Sequence, residues 1–307
     1  ALQSKTPGVT ITQSSGMPGE GYKVNIRGLG TTGDSTPLYI IDGVAGGNIN
    51  GLNPADIESV DVLKDADSAA IYGSRAANGV ILVTTRQGKA GKAQISYDGY
   101  VGVQNVYRMP DSLKEKEYDM IMNEERMQDG LTPYNFASLV PNWSDIESEK
   151  WNGTNWFEDI RNKNALITNH AVNIAGGNDR STFSIGLSYT YQDGILGKPC
   201  EPNFSRYTAR INSEHKIIQR GKLDVFTIGE NLLYDYTQNQ GISIGDNYGN
   251  DLRNMLLTSP FLPNLNADGS YHYAIPWEIR EPNPIAKMYN VSGNNQSKSH
   301  GLRAALY

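Results

Sequence analysis

STFSIGLSYTY, residues 181–191, is the stretch on which the fold turns. Phe183, Ile185, Leu187, Tyr189 and Tyr191 share one parity; Thr182, Ser184, Gly186, Ser188 and Thr190 share the other. Successive side chains of a β-strand point to opposite faces, so this is a strand with one apolar and one polar face. Alternation this clean over about ten residues predicts a strand of a transmembrane barrel, apolar outside and polar inside.

Similar strands surround it. Ile95, Tyr97, Gly99, Val101 and Val103 oppose Ser96, Asp98, Tyr100, Gly102 and Gln104. Shorter copies are His170, Val172 and Ile174; Tyr207, Ala209 and Ile211, set against Arg206, Thr208, Arg210 and Asn212; and Leu302, Ala304 and Leu306. The segment KLDVFTIGENLLYDY (222–236) is strand-like, but its faces switch, which predicts a bulge. That makes roughly six barrel strands. GGNDR (176–180) and HKIIQRGK (215–222) read as short connections, and 105–167, 192–204 and 237–297 as longer ones. Short and long alternate, as in an outer-membrane barrel with tight periplasmic turns and long outer loops. In the first long connection, SLKEKEYDMIMNEERMQDG predicts an amphipathic helix with Leu113, Tyr118, Ile121 and Met122 on its apolar side.

Residues 1–88 have another texture. VTIT (9–12), YKVNIR (22–27), PLYIID (37–42), SVDVLK (59–64) and GVILVTT (79–85) are short strand candidates between Gly, Pro and Asp turn signals. Asn53-Pro54 starts a turn. Asp65 or Asp67 can cap a short helix through Ala70 and Tyr72, which Gly73 ends. The unbroken run Val80-Ile81-Leu82-Val83 predicts a strand covered on both faces.

The composition agrees. Of 307 residues, 32 are glycine and 18 tyrosine against 6 phenylalanine, and 38% are apolar, a loop-rich and β-leaning balance. The formal net charge of −6 gives no footprint for nucleic acid. No apolar run of about 18 residues occurs, so no transmembrane helix is expected, which leaves a barrel open. The start ALQSKTPGVT lacks the basic and apolar regions of a signal peptide, so a processed chain, or one beginning inside a longer protein, is expected. Cys200 is the single cysteine and reads as a passive thiol. His170, His215, His272 and His300 are scattered without metal-ligand spacing, so no metal site is predicted.

GLGTTG (28–33) matches the dinucleotide fingerprint, which needs a helix after it; here Asp34-Ser35-Thr36-Pro37 and a strand follow, so its glycines read as a hairpin loop. YGSRAANG is not a nucleophile elbow, and no catalytic residue is predicted. Arg27 and Arg75 each sit in a small, Gly-rich, otherwise apolar context. A buried guanidinium needs a carboxylate or several carbonyls. Two readings stand: a pair inside this unit, with Glu58 or Asp61, or a lock to a surrounding wall.

PLYIIDGV, LNPADIESVDVLKDADSAAIYGSRAANGVILVTT and the upstream NIRG resemble the plug domain of TonB-dependent outer-membrane transporters, and more narrowly the SusC/RagA branch of Bacteroidetes. GTNWFEDI, NHAVNIAGGNDRSTFSIGLSYTYQDGIL and FSRYTARIN are similar to that branch's early barrel. The resemblance implies an α+β plug domain over 1–88, followed over 89–307 by antiparallel transmembrane β-barrel strands with long extracellular loops. Full members have about 22 strands, so roughly six make an incomplete barrel.

It further implies TonB-dependent import of an oligosaccharide or peptide across the outer membrane, without a cofactor. The implied partners are a SusD-like surface lipoprotein, the TonB–ExbB–ExbD energising complex and outer-membrane lipid, and the branch forms a dimer of transporter–lipoprotein pairs. The alternatives are a TonB-dependent siderophore or cobalamin receptor and a structural or adhesive outer-membrane protein. By the same resemblance, the loops 29–36 and 45–52 face substrate, with Thr31, Thr32, Asp34, Asn48 and Asn50 at their tips. Asp246, Tyr248 and Trp277 in the last long connection could add a platform for a sugar ring, and Arg27 and Arg75 carry over as plug–barrel lock residues.

Overall fold

The computed structural model describes residues 7–13, 15–28, 33–46, 49–64, 70–140, 142–221, 223–245, 249–273 and 283–307. The N-terminal unit has two sheets. β1 (Val9–Gln13) and β2 (Tyr22–Ile26) form an antiparallel hairpin. β3 (Leu38–Ile41), β4 (Val44–Ala45), β5 (Ile57–Leu63) and β6 (Val80–Thr85) form a second sheet in the order β4-β3-β6-β5, with β3 and β6 parallel. The parallel pair is apolar at every position of β3 because both of its faces are covered. Tyr39, Ile41, Ile81 and Val83 pack with Val24 and Ile26 of the hairpin. Leu38, Ile40 and Val80 pack on the other side with Ala76 and Tyr72. Val80 and Ile81 are 0% exposed, and full burial of such side chains stabilises by about 1.5–3 kcal/mol each.

Asp42 (φ 48°) and Gly43 (φ 83°) make the two-residue turn from β3 to β4. Both central residues of such a turn need positive φ, which the Asp-Gly pair tolerates. Two expectations change. β2 pairs with β1 and not with β3, so the segment around 28–33 joins two sheets and is not a hairpin loop. The predicted capped helix is two 3-10 turns over Ala70–Ala76, kinked at Gly73 (φ 68°, ψ −160°); Asp65 and Asp67 lie outside the described residues.

The remaining strands form one antiparallel wall: β7 (Gly91–Gln104), β8 (Ala165–Gly177), β9 (Ser181–Asp193), β10 (Asn203–Arg220), β11 (Leu223–Gly241) and β12 (Asn295–Leu306), each hydrogen-bonded to the next. Three residues separate β8 from β9. HKIIQR continues β10 rather than forming a connection, because it still pairs with β11. The predicted irregularity appears there as register shifts around Ile218. The face against the N-terminal unit is polar and buried, with Ser184 at 0%, Arg210 at 1% and Thr208 at 4% exposure. The opposite face is apolar and open, with Leu187 at 55%, Tyr207 at 50% and Leu232 at 38%. This inverts a soluble sheet and fits a wall with lipid outside. Tyr189, Tyr207, Tyr236 and His300 are direct cross-strand neighbours on the open face, with ring centroids 4.8, 6.2 and 4.8 Å apart. His170 continues the row opposite Tyr189. Such aromatic rows mark a membrane–water boundary.

All three long connections leave the same end of the wall and fold together there. They carry α1 (Glu115–Gln128), α2 (Phe136–Leu139), α3 (Trp143–Glu147), α4 (Trp156–Asp159), α5 (Asp251–Leu257) and α6 (Pro284–Asn290). Phe136, Val140, Ile146 and Phe261 form one small core; Trp156, Phe157, Ile160, Cys200, Ile242, Met255 and Met288 form another. Thr154 Oγ1 donates to the Leu262 carbonyl at 2.6 Å and Trp156 Nε1 to that of Ser259 at 3.2 Å, tying the first connection to the third. On α1 only Tyr118 and Met122 of the four expected apolar positions pack into a core; Leu113 and Ile121 are exposed.

Candidate functional site

The wall meets the N-terminal unit along the edge formed by the C-terminal ends of β3 and β6 and the turn before β5. Asn53 caps that turn through its Oδ1, which accepts from the Ala55 N–H at 2.9 Å, while its Nδ2 reaches Asn169 Oδ1 of β8 at 3.4 Å. The turn ends on Asp56, whose carboxylate meets Arg210 of β10. Arg210 Nε donates to Asp56 Oδ1 at 3.2 Å, Nη1 to the Arg86 carbonyl at 2.7 Å, and Nη2 to Asn173 Oδ1 and Ser184 Oγ at 3.1 and 3.2 Å. Both charged side chains are almost fully buried, at 1% and 2% exposure. Burial pushes the Asp56 carboxyl up from its ordinary pKa, and the Arg210 guanidinium pulls against that.

A second strand of contacts starts at the Asp-Gly turn. Asp42 accepts from the Thr85 N–H at 2.8 Å and hydroxyl at 2.7 Å, and Thr85 Oγ1 accepts from Asn212 Nδ2 at 2.7 Å. Arg206 donates to the Asn50 carbonyl. An apolar wall side chain joins this interface: Leu233 of β11 is 6% exposed and packs in the same cluster as Val24, Tyr39 and Ile81. Beside it a cavity of about 20 Å³, lined by Asp42, Asn212, Asn231 and Arg303 among others, has room for a single water.

Gly186 of β9 is one point of close approach between the wall and Asp56. A Cβ there would lie 2.3 Å from Asp56 Oδ1 and 2.9 Å from Asn173 Oδ1. Gly186→Ala is therefore expected to weaken the interface by about 1–3 kcal/mol, the usual size for overpacking. Faster protease cleavage of the N-terminal unit in native membranes would register it; unchanged cleavage would show that this contact is soft.

At the long-connection end, the β1–β2 tip is the part of the unit that approaches. Met17 packs on the core of the long connections, and the Gly19 N–H donates to Gln192 Oε1 at 3.2 Å. A cavity of about 290 Å³ opens there, lined by Ser15, Met17, Glu20, Asn239, Ile244 and Asn295 among others.

The sequence-predicted residues fall into three groups. Thr31, Thr32, Asn48, Asp246, Tyr248 and Trp277 lie outside the described residues. Asp34 is exposed, where its carboxylate caps the Thr36 N–H at 2.9 Å and is held below its ordinary pKa by the Thr36 hydrogen bonds. Its carbonyl accepts from Asn78 Nδ2, at the sheet end away from Arg210 and Asn212. Asn50 sits in the interface rather than at a free tip. Arg27 and Arg75 are exposed on the side of the plug away from β7–β12, and Glu58 pairs with Lys89 at 3.5 Å. The buried pair is Asp56–Arg210, which the sequence reading did not single out. Its one signal was an arginine on the polar face of a barrel strand.

A compact unit docked against the polar inner face of barrel strands defines a class, the plugged outer-membrane receptors. Residues 1–80 match the TonB-dependent Receptor Plug Domain family. The chain is 34% identical over 302 residues to TonB-dependent receptor P26 of Formosa agariphila, covering 94% of this chain and 28% of that protein. It is 37% identical over 222 residues to TonB-dependent receptor SusC of Bacteroides thetaiotaomicron, covering 69% of this chain and 20% of that one. Among solved structures it shares its fold with the RagAB peptide transporter, at a TM-score of 0.76 and 21% identity over 99% of this chain and 36% of that one. The N-terminal unit is thus a TonB-dependent receptor plug, and strands β7–β12 are part of a barrel of the SusC/RagA type. The chain spans about a quarter of the length of the curated relatives it matches.

Proposed function

We propose that this chain is the plug and first wall strands of a TonB-dependent importer that spans the outer membrane many times and carries a large nutrient, an oligosaccharide or a peptide. The carrying observation is the polar edge, with its buried Asp56–Arg210 pair, by which the plug is held. A buried ion pair contributes little net adhesion but makes mismatched docking costly. A plug that must move and return needs that combination of specificity without strong adhesion. On this reading TonB, energised with ExbB and ExbD, displaces the plug, and the wall groups around Arg210 then line the path.

Substrate binds at the long-connection end, in the cavity beside Ser15, Glu20 and Asn239, with Asp246, Tyr248 and Trp277 in the same long connection. Thr31, Thr32, Asp34, Asn48 and Asn50 follow as candidate contacts, and Arg27 and Arg75 as locks to wall strands other than β7–β12. A SusD-like lipoprotein covers the site, and two transporter–lipoprotein pairs associate. The protein acts without catalysis or a cofactor.

The test is uptake. Deleting the gene is expected to abolish growth of the host on one class of large glycan or peptide while growth on its monomers is unchanged. Dissipating the proton gradient is expected to give the same loss in wild type. Growth on every oligomer tested, with and without the gene, would favour the structural or adhesive reading.

A further inference from the structure

The open face of the wall carries an ionisable cluster that the transport reading does not use. Glu230 of β11 shares its parity with Leu232 and Tyr234, opposite to Leu233, and so belongs to the open face. Ser213 Oγ of β10 donates to Glu230 Oε1 at 3.0 Å. A hydroxyl has one proton, so Ser213 can only accept from His215 Nε2, 3.0 Å away. His215 Nδ1 in turn lies 3.1 Å from Ser181 Oγ. The result is a hydrogen-bonded chain over three strands, Ser181, His215, Ser213 and Glu230, ending on a carboxylate.

The surroundings are apolar. Along the strands Ile211 and Leu232 lie on one side, each 38% exposed; Ile228 at 39% and Phe226 at 48% lie on the other. Among the described residues no lysine or arginine pairs with Glu230. An ionised carboxylate on a lipid-facing surface is costly without a cation. The described residues of β7–β12 bring neither a lysine nor an arginine to it, and a lipid ammonium meets the same need. Ser181 directly follows the three-residue turn from β8, which puts these groups on the short-turn side of the wall, below the Tyr207 row. The inner leaflet faces that side.

We propose that Glu230, Ser213, His215 and Ser181 form a headgroup site for an ammonium-bearing phospholipid of the inner leaflet. The ammonium donates to Glu230, and the hydrogen-bonded chain holds the carboxylate in place. This rests on the outer-membrane reading above.

The test uses the protein purified from its own outer membrane and moved into nanodiscs of phosphatidylethanolamine mixed with phosphatidylcholine. Phosphatidylcholine carries the same charges but no N–H donor. Lipid retained through mild detergent is counted by mass spectrometry. Wild type is expected to retain phosphatidylethanolamine about tenfold over phosphatidylcholine, the size of one charge-assisted hydrogen bond. Glu230→Leu is expected to lose that preference, and Glu230→Gln, which keeps the shape, to lose most of it. Equal retention by wild type and both variants would overturn the inference, as would a dimer that Glu230→Leu dissociates, because the carboxylate would then serve a second chain. Absence of the protein from the outer-membrane fraction would overturn the membrane reading as well; lipid indifference in protein found there overturns this inference alone.

Discussion

Asp56→Asn is expected to loosen the plug from the wall by about 3–5 kcal/mol, the usual consequence of leaving one partner of a buried pair charged and alone. Arg210 would keep its bonds to Asn173, Ser184 and the Arg86 carbonyl, all neutral. At 1% exposure it has no water to turn to. Two measurements check this: protease cleavage of the plug in native outer membranes, and entry of a large hydrophilic antibiotic that the plugged barrel excludes. Both are expected to rise. Asp56→Leu combined with Arg210→Met is expected to restore much of the loss, because a well-packed apolar pair replaces a buried ion pair at little net cost. If Asp56→Asn behaves like wild type in both assays, the pair does not hold the plug.

Leu233→Ala is expected to cost about 2–5 kcal/mol of plug docking, the range for truncating a buried leucine where the surroundings cannot close in. Leu233 belongs to the wall by its backbone ladder and to the plug by its packing, facing Val24, Tyr39 and Ile81. The neighbour Leu232 is the control. It is 38% exposed on the opposite face, so Leu232→Ala is expected to leave docking unchanged. Plug protection from hydrogen exchange, measured for both variants, separates them. Equal effects would mean that Leu233 acts through the stability of β11 and not through the plug.

Both experiments probe contacts that joined the family motifs to the wall. The Asp-Gly of PLYIIDGV supplies a turn with two positive φ values and a carboxylate folded back on Thr85. The Asn and Asp of LNPADIES supply a turn cap and the partner of Arg210. The resemblance lay in these residues, but the partners of Asn53 and Asp56 lay in strands 116 and 154 positions further along the chain.

Other features were not legible in the sequence, for physical reasons. The β1–β2 tip approaches the long connections through Met17 and Gly19, residues with no functional signature of their own. HKIIQR looked like a connection because its alternation fails, and it fails because β10 and β11 shift register there while still paired.

What the sequence by itself determined was local and periodic. Residues 181–191 alternate, and alternation alone assigns their two faces. Val80 to Val83 do not, and a strand without a polar face has both sides covered. Those rules need only the geometry of the backbone at each residue. The tertiary structure decided which polar groups meet. Asp56 and Arg210 are 154 residues apart, and each alone is an unremarked charge on a turn or a strand. Their pairing exists because the backbone ladders of the wall hold Arg210 inward, opposite the turn of the plug that carries Asp56.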